Sequence, residues 1–286
     1  MLRSLPRLLA GALLAAGLVA CGAAPQPVPV ASPPPATPSV TRSTPAIPSR
    51  PVEPPLPAWV VGAHPLPLRP DGFGDVLPTP PELINRRLST VDRLPPPVAG
   101  DYESSVSEVP ADVLARSTWK PGCPVAPGEL RYLTMSFWGF DGRPHTGEMI
   151  VHADVAEDIV VVFGKLFGQR FPIEEMRVVA LPELDLPPTG DGNNTTAFVC
   201  RPAVGEDRFS AHAYGVAIDV NPFHNPYQDG DLVLPELASA YLDRDRKRPG
   251  MVTQNIVVVH EFEILGWEWG GRWDSPVDTM HFTSTN

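Results

Sequence analysis

The first clear hydrophobic pattern is ELRYLTMSFWGF, Glu129 to Phe140, a run with strand composition. FDGRPHTGEMIVH, Phe140 to His152, follows as a turn leading into another strand. The period then changes. Val155, Ile159, Val162, Phe163 and Leu166 fall on one side of a helix that stops near Gly168. Asp154 is expected to open it, with Glu157 three residues later completing a capping box. MRVVAL and NTTAFVC read as strands. In SAHAYGVAIDVNP, Ser210 to Pro222, Gly215 interrupts any continuous helix, and VAIDV then alternates. Val216, Ile218 and Val220 share one face; Ala217, Asp219 and Asn221 share the other. A further helix is predicted over Val252–Leu265, ending at Gly266, with MHFTS as a final strand. Short antiparallel strands mixed with two or three helices predict an α+β domain.

Composition changes the picture of the first hundred residues. Arg3 and Arg7 precede an apolar run from Leu8 to Ala20, too short for a comfortable bilayer span of about 20 residues. Residues 1–21 read as a secretory leader. LVAC resembles a bacterial lipobox, in which Cys21 is lipidated, becomes the mature N-terminus and anchors the protein outside the membrane. Of 38 prolines, 23 lie in residues 1–100, so residues 22–100 are expected to form an extended, disordered stalk. LINRRLSTV, Leu83 to Val91, could instead dock as a short helix, which leaves that boundary soft. The folded domain is placed at 101–286. With Cys21 set aside, Cys123 and Cys200 remain, and outside the cytoplasm an even remainder points to one disulfide. The net charge of −11 and the lack of a basic stripe argue against nucleic acid as a partner.

The candidate chemistry lies in two stretches. His212 and Asp219 bracket the SAHAYGVAIDVNP segment, and GWEWGGRWDSPVDTMHF, Gly266 to Phe282, ends with His281 alternating with Met280 and Phe282. Two imidazoles and one carboxylate are a donor set for catalytic zinc, which takes three protein ligands and keeps one position open. Asp278, three residues before His281, is then a candidate general base. Ser210 is read as a cap for the turn holding His212, and His260 as a helix-surface or core residue, since Ile264 stands where an H-E-x-x-H motif needs its second histidine. Trp267, Trp269 and Trp273 are expected in the core or cleft wall; His145, His152 and His224 are further candidates for lining the cleft.

Ser-x-His, a glycine, an aspartate seven after the histidine, and a distant WGG followed by D-x-x-H-F together resemble the VanY-type zinc D-alanyl-D-alanine carboxypeptidases, grouped with the L-alanyl-D-glutamate peptidases. The resemblance runs from about Phe140 to the C-terminus and implies a hedgehog-like fold. It implies zinc ligands at His212, Asp219 and His281, and a catalytic carboxylate at Asp278, where many relatives have glutamate. It also implies a carbonyl-polarising arginine, best matched by Arg201 in FVCRP, with Arg170 in QRFPI as the competitor. The substrates implied are peptidoglycan stem peptides. Carboxypeptidase action on D-Ala-D-Ala is the first expectation. L-Ala-D-Glu endopeptidase action, or a zinc-containing lipoprotein that binds the wall without catalysis, are the alternatives.

Overall fold

The computed structural model describes residues 59–254 and 256–285. The leader, Cys21 and the stalk as far as residue 58 lie outside the described residues. Contacts along the chain separate between Glu53 and Pro54, and every described residue belongs to the second unit.

In chain order the elements are β1 (Ser104–Glu108), α1 (Ala111–Arg116), β2 (Leu130–Trp138), β3 (Pro144–His152), α2 (Ala156–Gly168), β4 (Glu175–Met176) and β5 (Asn194–Thr195), followed by β6 (Ala217–Asp219), β7 (Tyr227–Asp229), β8 (Leu232–Leu234), α3 (Val257–Glu263), β9 (Trp267–Trp269), β10 (Val277–Asp278) and β11 (His281–Ser284). They form three small antiparallel sheets, β1-β2-β3, β6-β11-β9 and β10-β7-β8, with a short parallel pair β4-β5. This is the α+β arrangement that the mixed periodicities predict.

One apolar core joins the first two sheets. Leu133, Met135 and Phe137 of β2 and Met149 and Val151 of β3 pack with Ile159, Val162, Phe163 and Leu166 of α2. Val258, Val259 and Phe262 of α3 close the same core beneath β6, β9 and β11, where the Phe262 and Phe282 rings stack at 4.2 Å. The four α2 positions recur at helical spacing, and their burial drives the helix onto the sheet.

Several local expectations are corrected. The N-terminus of α2 is entered through a 3-10 turn, Ala153–Val155, and His152 rather than Asp154 provides the cap, its Nδ1 accepting the Asp154 N–H at 3.3 Å. The helix α3 starts at Val257 rather than Val252, because the Val252 N–H donates to Asn225 Oδ1 at 2.6 Å and its carbonyl accepts from Arg244. Of MRVVAL only Met176, with Glu175 before it, enters a sheet, and of NTTAFVC only Asn194–Thr195, which pairs with it.

The domain boundary at 101 is also corrected: residues 59–100 do not form a free stalk over their described length. Trp59 Nε1 donates to Asp191 Oδ2 at 2.8 Å, and Thr79 Oγ1 donates to the Leu237 carbonyl at 2.6 Å. Leu83 is fully buried with Phe223, Leu237, Tyr241 and Met251, and Trp59, Leu66 and Leu88 pack around them. Arg86, 2% exposed, forms a two-pronged ion pair with Glu174 at 2.6 and 2.7 Å and covers the Phe223 ring. Prolines keep this arm out of regular structure, but its scattered Trp and Leu side chains bury enough apolar surface to dock it. The LINRRLSTV segment docks as expected but not as a helix: the single 3-10 turn, Pro81–Leu83, ends at its first residue.

The disulfide is present. Cys123 and Cys200 are joined with their Cα atoms 6.0 Å apart. It ties the loop after α1 to the strand-like segment that leads into the functional site.

Candidate metal centre

Asp219 ends β6, and β11 runs antiparallel beside it with His281 directly across from Asp219. His281 Nδ1 lies 3.0 Å from Asp219 Oδ1. His212 arrives from another direction, on the 3-10 turn Ala211–Tyr214. Ser210 caps that turn as expected, its Oγ accepting the His212 N–H at 3.1 Å. Gly215 ends it at φ +72°, and a Cβ there would stand 2.6 Å from the His152 backbone nitrogen, so glycine is required on both conformational and steric grounds. The turn therefore delivers His212 Nε2 to within 3.2 Å of both His281 Nδ1 and Asp219 Oδ2.

His212 Nδ1 donates to the Ala197 carbonyl at 2.6 Å. A carbonyl can only accept, so Nδ1 carries the hydrogen and the Nε2 lone pair faces the cluster. The ligand atoms of His212, Asp219 and His281 all lie within 4.8 Å of one another. Zinc–ligand bonds of about 2.0–2.1 Å set tetrahedral edges near 3.3 Å, and the separations of 3.0 to 3.2 Å match that edge closely. The residues thus fit a zinc ion in both chemistry and spacing.

Electrostatics agree with a site built for a cation. Burial alone would raise the Asp219 pKa, but its two imidazole neighbours, His212 and His281, outweigh it and hold the carboxyl below the usual carboxylate range. Asp278 behaves oppositely. It lies in β10 opposite Tyr227, and its Oδ1 is sealed from solvent with no hydrogen-bond partner. Burial first, and the negative charge of Asp219 second, push it up to about 7, while His281 and Arg201 pull it down.

The WGGRW stretch is structural support for this carboxylate. A Cβ on Gly270 would stand 2.7 Å from the Asp278 carbonyl oxygen, and one on Gly271 would stand 2.3 Å from the Trp269 ring. Trp269 Nε1 donates to the Thr279 carbonyl at 3.0 Å. The two glycines let the chain wrap closely around Trp269 and lock the loop carrying Asp278. Trp267 and Trp269 are core residues, and Trp273 tilts against His281 with ring centroids 5.5 Å apart.

The two arginine candidates separate. Arg201 is half-buried and its charge is felt at Asp278. Arg170 is exposed and lies over the Trp138 ring at 4.4 Å. The remaining histidines stay out of the cluster. His145 is buried between Asp92 and Asp141, at 2.7 and 3.1 Å, His224 is buried in the core, and His260 is exposed on α3. The contribution of Ala197, whose carbonyl sets the His212 tautomer, had no sequence signal, because a backbone atom carries none.

Two imidazoles and a carboxylate on converging backbone, with the Asp278 carboxyl close by, define a candidate centre for metal-assisted hydrolysis. Residues 204–284 match the family model described as D-alanyl-D-alanine carboxypeptidase, so this segment is similar to that peptidase family. The match contains His212, Asp219, Asp278 and His281, and begins just after Arg201. No curated protein and no solved structure shows significant similarity to the chain.

Proposed function

We propose that this domain is a zinc peptidase that hydrolyses peptidoglycan stem peptides, acting first as a D-alanyl-D-alanine carboxypeptidase. The observation that carries this reading is the coincidence, within the matched segment, of the His212–Asp219–His281 cluster and Asp278, whose Oδ1 is buried without a hydrogen-bond partner. His212, Asp219 and His281 would hold the metal, and a hedgehog-like fold is the corresponding architecture. When bound, zinc supplies Lewis acidity that polarises a carbonyl and acidifies water.

Asp278 takes the proton of the attacking water and returns one to the leaving amine. A base works best when its pKa lies near the working pH, and burial beside Asp219 moves the Asp278 carboxyl into that range. Arg201 stabilises the oxyanion that develops on the scissile carbonyl. Lipidation at Cys21 would tether the protein to the outer face of a membrane, with the segment before residue 59 as the spacer that lets the domain reach the wall.

Mass spectrometry of products tests the reading. The zinc-loaded full chain is incubated with defined wall pentapeptides and muropeptides. Loss of one terminal alanine is expected; a cut after L-Ala would assign the endopeptidase alternative. Absence of any zinc-dependent cleavage by folded, metal-bound protein would leave a wall-binding module.

A further inference from the structure

A second site lies apart from the metal cluster and shares none of its residues. Between the C-terminal end of α2 and the loop before α3 is a groove of about 370 Å³. Arg170, Arg248, Phe171, Pro249, Met251 and Ile256 contribute to its walls. The volume is within the range of small-molecule sites, about 300–1,000 Å³.

Two arginines of this groove stand without a counter-charge. Most of the others are neutralised: Arg86 by Glu174, Arg116 by Glu148, Arg177 by Glu183 and Arg272 by Glu263. Neither Arg170 nor Arg248 forms an ion pair with any described carboxylate. Each guanidinium instead covers an aromatic face, Arg170 over Trp138 at 4.4 Å and Arg248 over Tyr241 at 4.6 Å. Stacking holds the planes in place; Arg248 Nη1 donates to the Arg246 carbonyl at 3.3 Å, while its Nε is left without a partner.

One orphaned donor belongs to a groove wall, and a second to the ring beneath Arg170. Arg248 Nε and Trp138 Nε1 are both buried with no hydrogen-bond partner. Buried unsatisfied donors are uncommon and costly, and a missing acceptor is the simplest physical account. Arg248 is held below its ordinary pKa, by burial first, with Asp243 compensating only in part. Arg246 and Lys247 are exposed just before Arg248, in a segment that also carries the exposed Asp243 and Asp245.

Arg170 itself stands at φ +53°, a left-handed conformation that a non-glycine residue adopts at some cost. Asn221 braces the opposite lip, donating to the Pro172 carbonyl at 2.8 Å and the Gly250 carbonyl at 3.2 Å. The groove walls are thus tied to the buried core rather than carried on a free loop.

We propose that this groove is a phosphate-binding site, in which Arg170 and Arg248 grip one phosphate group and the apolar walls receive whatever carries it. Two guanidiniums without an ion pair exceed what a monocarboxylate would balance. A phosphate carries about −1.5 to −2 at neutral pH and accepts from several donors at once. The site does not depend on catalysis at the metal cluster.

Calorimetric titration of the chelator-treated full chain tests it, with inorganic phosphate, glycerol 3-phosphate and acetate as probes. Removing zinc keeps the probes from binding metal. Phosphate or its ester is expected to bind, with Arg170→Gln and Arg248→Gln each weakening it by about tenfold or more. The Arg201→Gln variant should bind unchanged, which locates the site away from the metal cluster. Tighter binding of the ester than of free phosphate would identify an organic phosphate as the ligand, and the reverse order would identify the free ion. Circular dichroism confirms folding, and Arg248→Lys, which keeps charge but loses the fork, should show intermediate affinity if Arg248→Gln does not fold. No binding of either phosphate, binding indifferent to both arginines, or acetate binding equally well would each overturn the proposal.

Discussion

His281 stands directly across a strand pair from Asp219, and its Nδ1 lies 3.0 Å from the Asp219 carboxylate. This pairing places two of the three metal-facing groups on neighbouring backbone whose register the sheet determines. His212 is the more vulnerable member, since only a short turn carries it.

That vulnerability can be measured at Gly215. A Cβ at φ +72° costs about 1–2 kcal/mol for the left-handed backbone alone, and here it would also press on the His152 backbone at 2.6 Å. Gly215→Ala is expected to destabilise the domain by at least that amount and to weaken zinc binding. Denaturant unfolding and a competitive zinc titration read the two effects. Unchanged zinc affinity would mean that the turn does not position His212.

Asp278 separates catalysis from metal binding. Asp278→Asn should lower kcat by about 10²–10⁴-fold, the range of general-base removal, while zinc stoichiometry by atomic absorption stays at the wild-type value. In the active enzyme the base must be ionised, so kcat/KM rises with pH through its pKa. Without metal that carboxyl lies at about 7. The charge of a bound cation lowers it, so the acid limb should fall below pH 7.

The docked arm gives a stability prediction. Arg86 and Glu174 are a buried ion pair, and removing one partner strands the other, at a cost of about 3–5 kcal/mol. Arg86→Ala should therefore be strongly destabilising in urea unfolding, and Arg86→Met with Glu174→Leu should recover much of the loss. A chain begun at residue 101 removes Trp59, Leu83 and Arg86 together and should be less stable than one begun at residue 54. Equal stability of the two would show that the arm contributes nothing.

His224 should make the fold sensitive to acid. Burial first, with the nearby charges of Arg86, Arg244 and Arg248, lowers its pKa from 6.5 to about 3. Between those values the unfolded chain binds a proton that the folded protein does not, so the contribution is full above pH 6.5 and is lost as pH falls toward 3. The stability difference between wild type and His224→Gln, measured by denaturant unfolding across that range, should grow as pH rises. A difference independent of pH would rule out this origin.

Much of the site is legible in the sequence because metal chemistry restricts residue type. His212, Asp219, Asp278 and His281 could be named from spacing and resemblance, and the alternation in VAIDV and MHFTS anticipated strands that pair. Residues 59–100 were misread for a physical reason. Proline content reports the absence of regular hydrogen bonding, not the absence of packing, and a few buried side chains such as Leu83 and Arg86 can dock an irregular segment. The helix before Gly266 was overextended because Val252 has helical periodicity with its neighbours, yet its backbone is taken by Asn225 and Arg244.

By itself, the sequence determined the helix and strand faces, the donor types of the candidate metal cluster and the break in any helix at Gly215, because periodicity, ligand chemistry and helix propensity are local properties. Tertiary structure alone decided that Ala197 sets the His212 tautomer and that Arg201, rather than Arg170, lies within electrostatic reach of Asp278. It also left Arg170 and Arg248 facing one groove without a counter-charge. Those outcomes depend on distances between segments far apart in the chain, which burial and register set only when the whole domain packs.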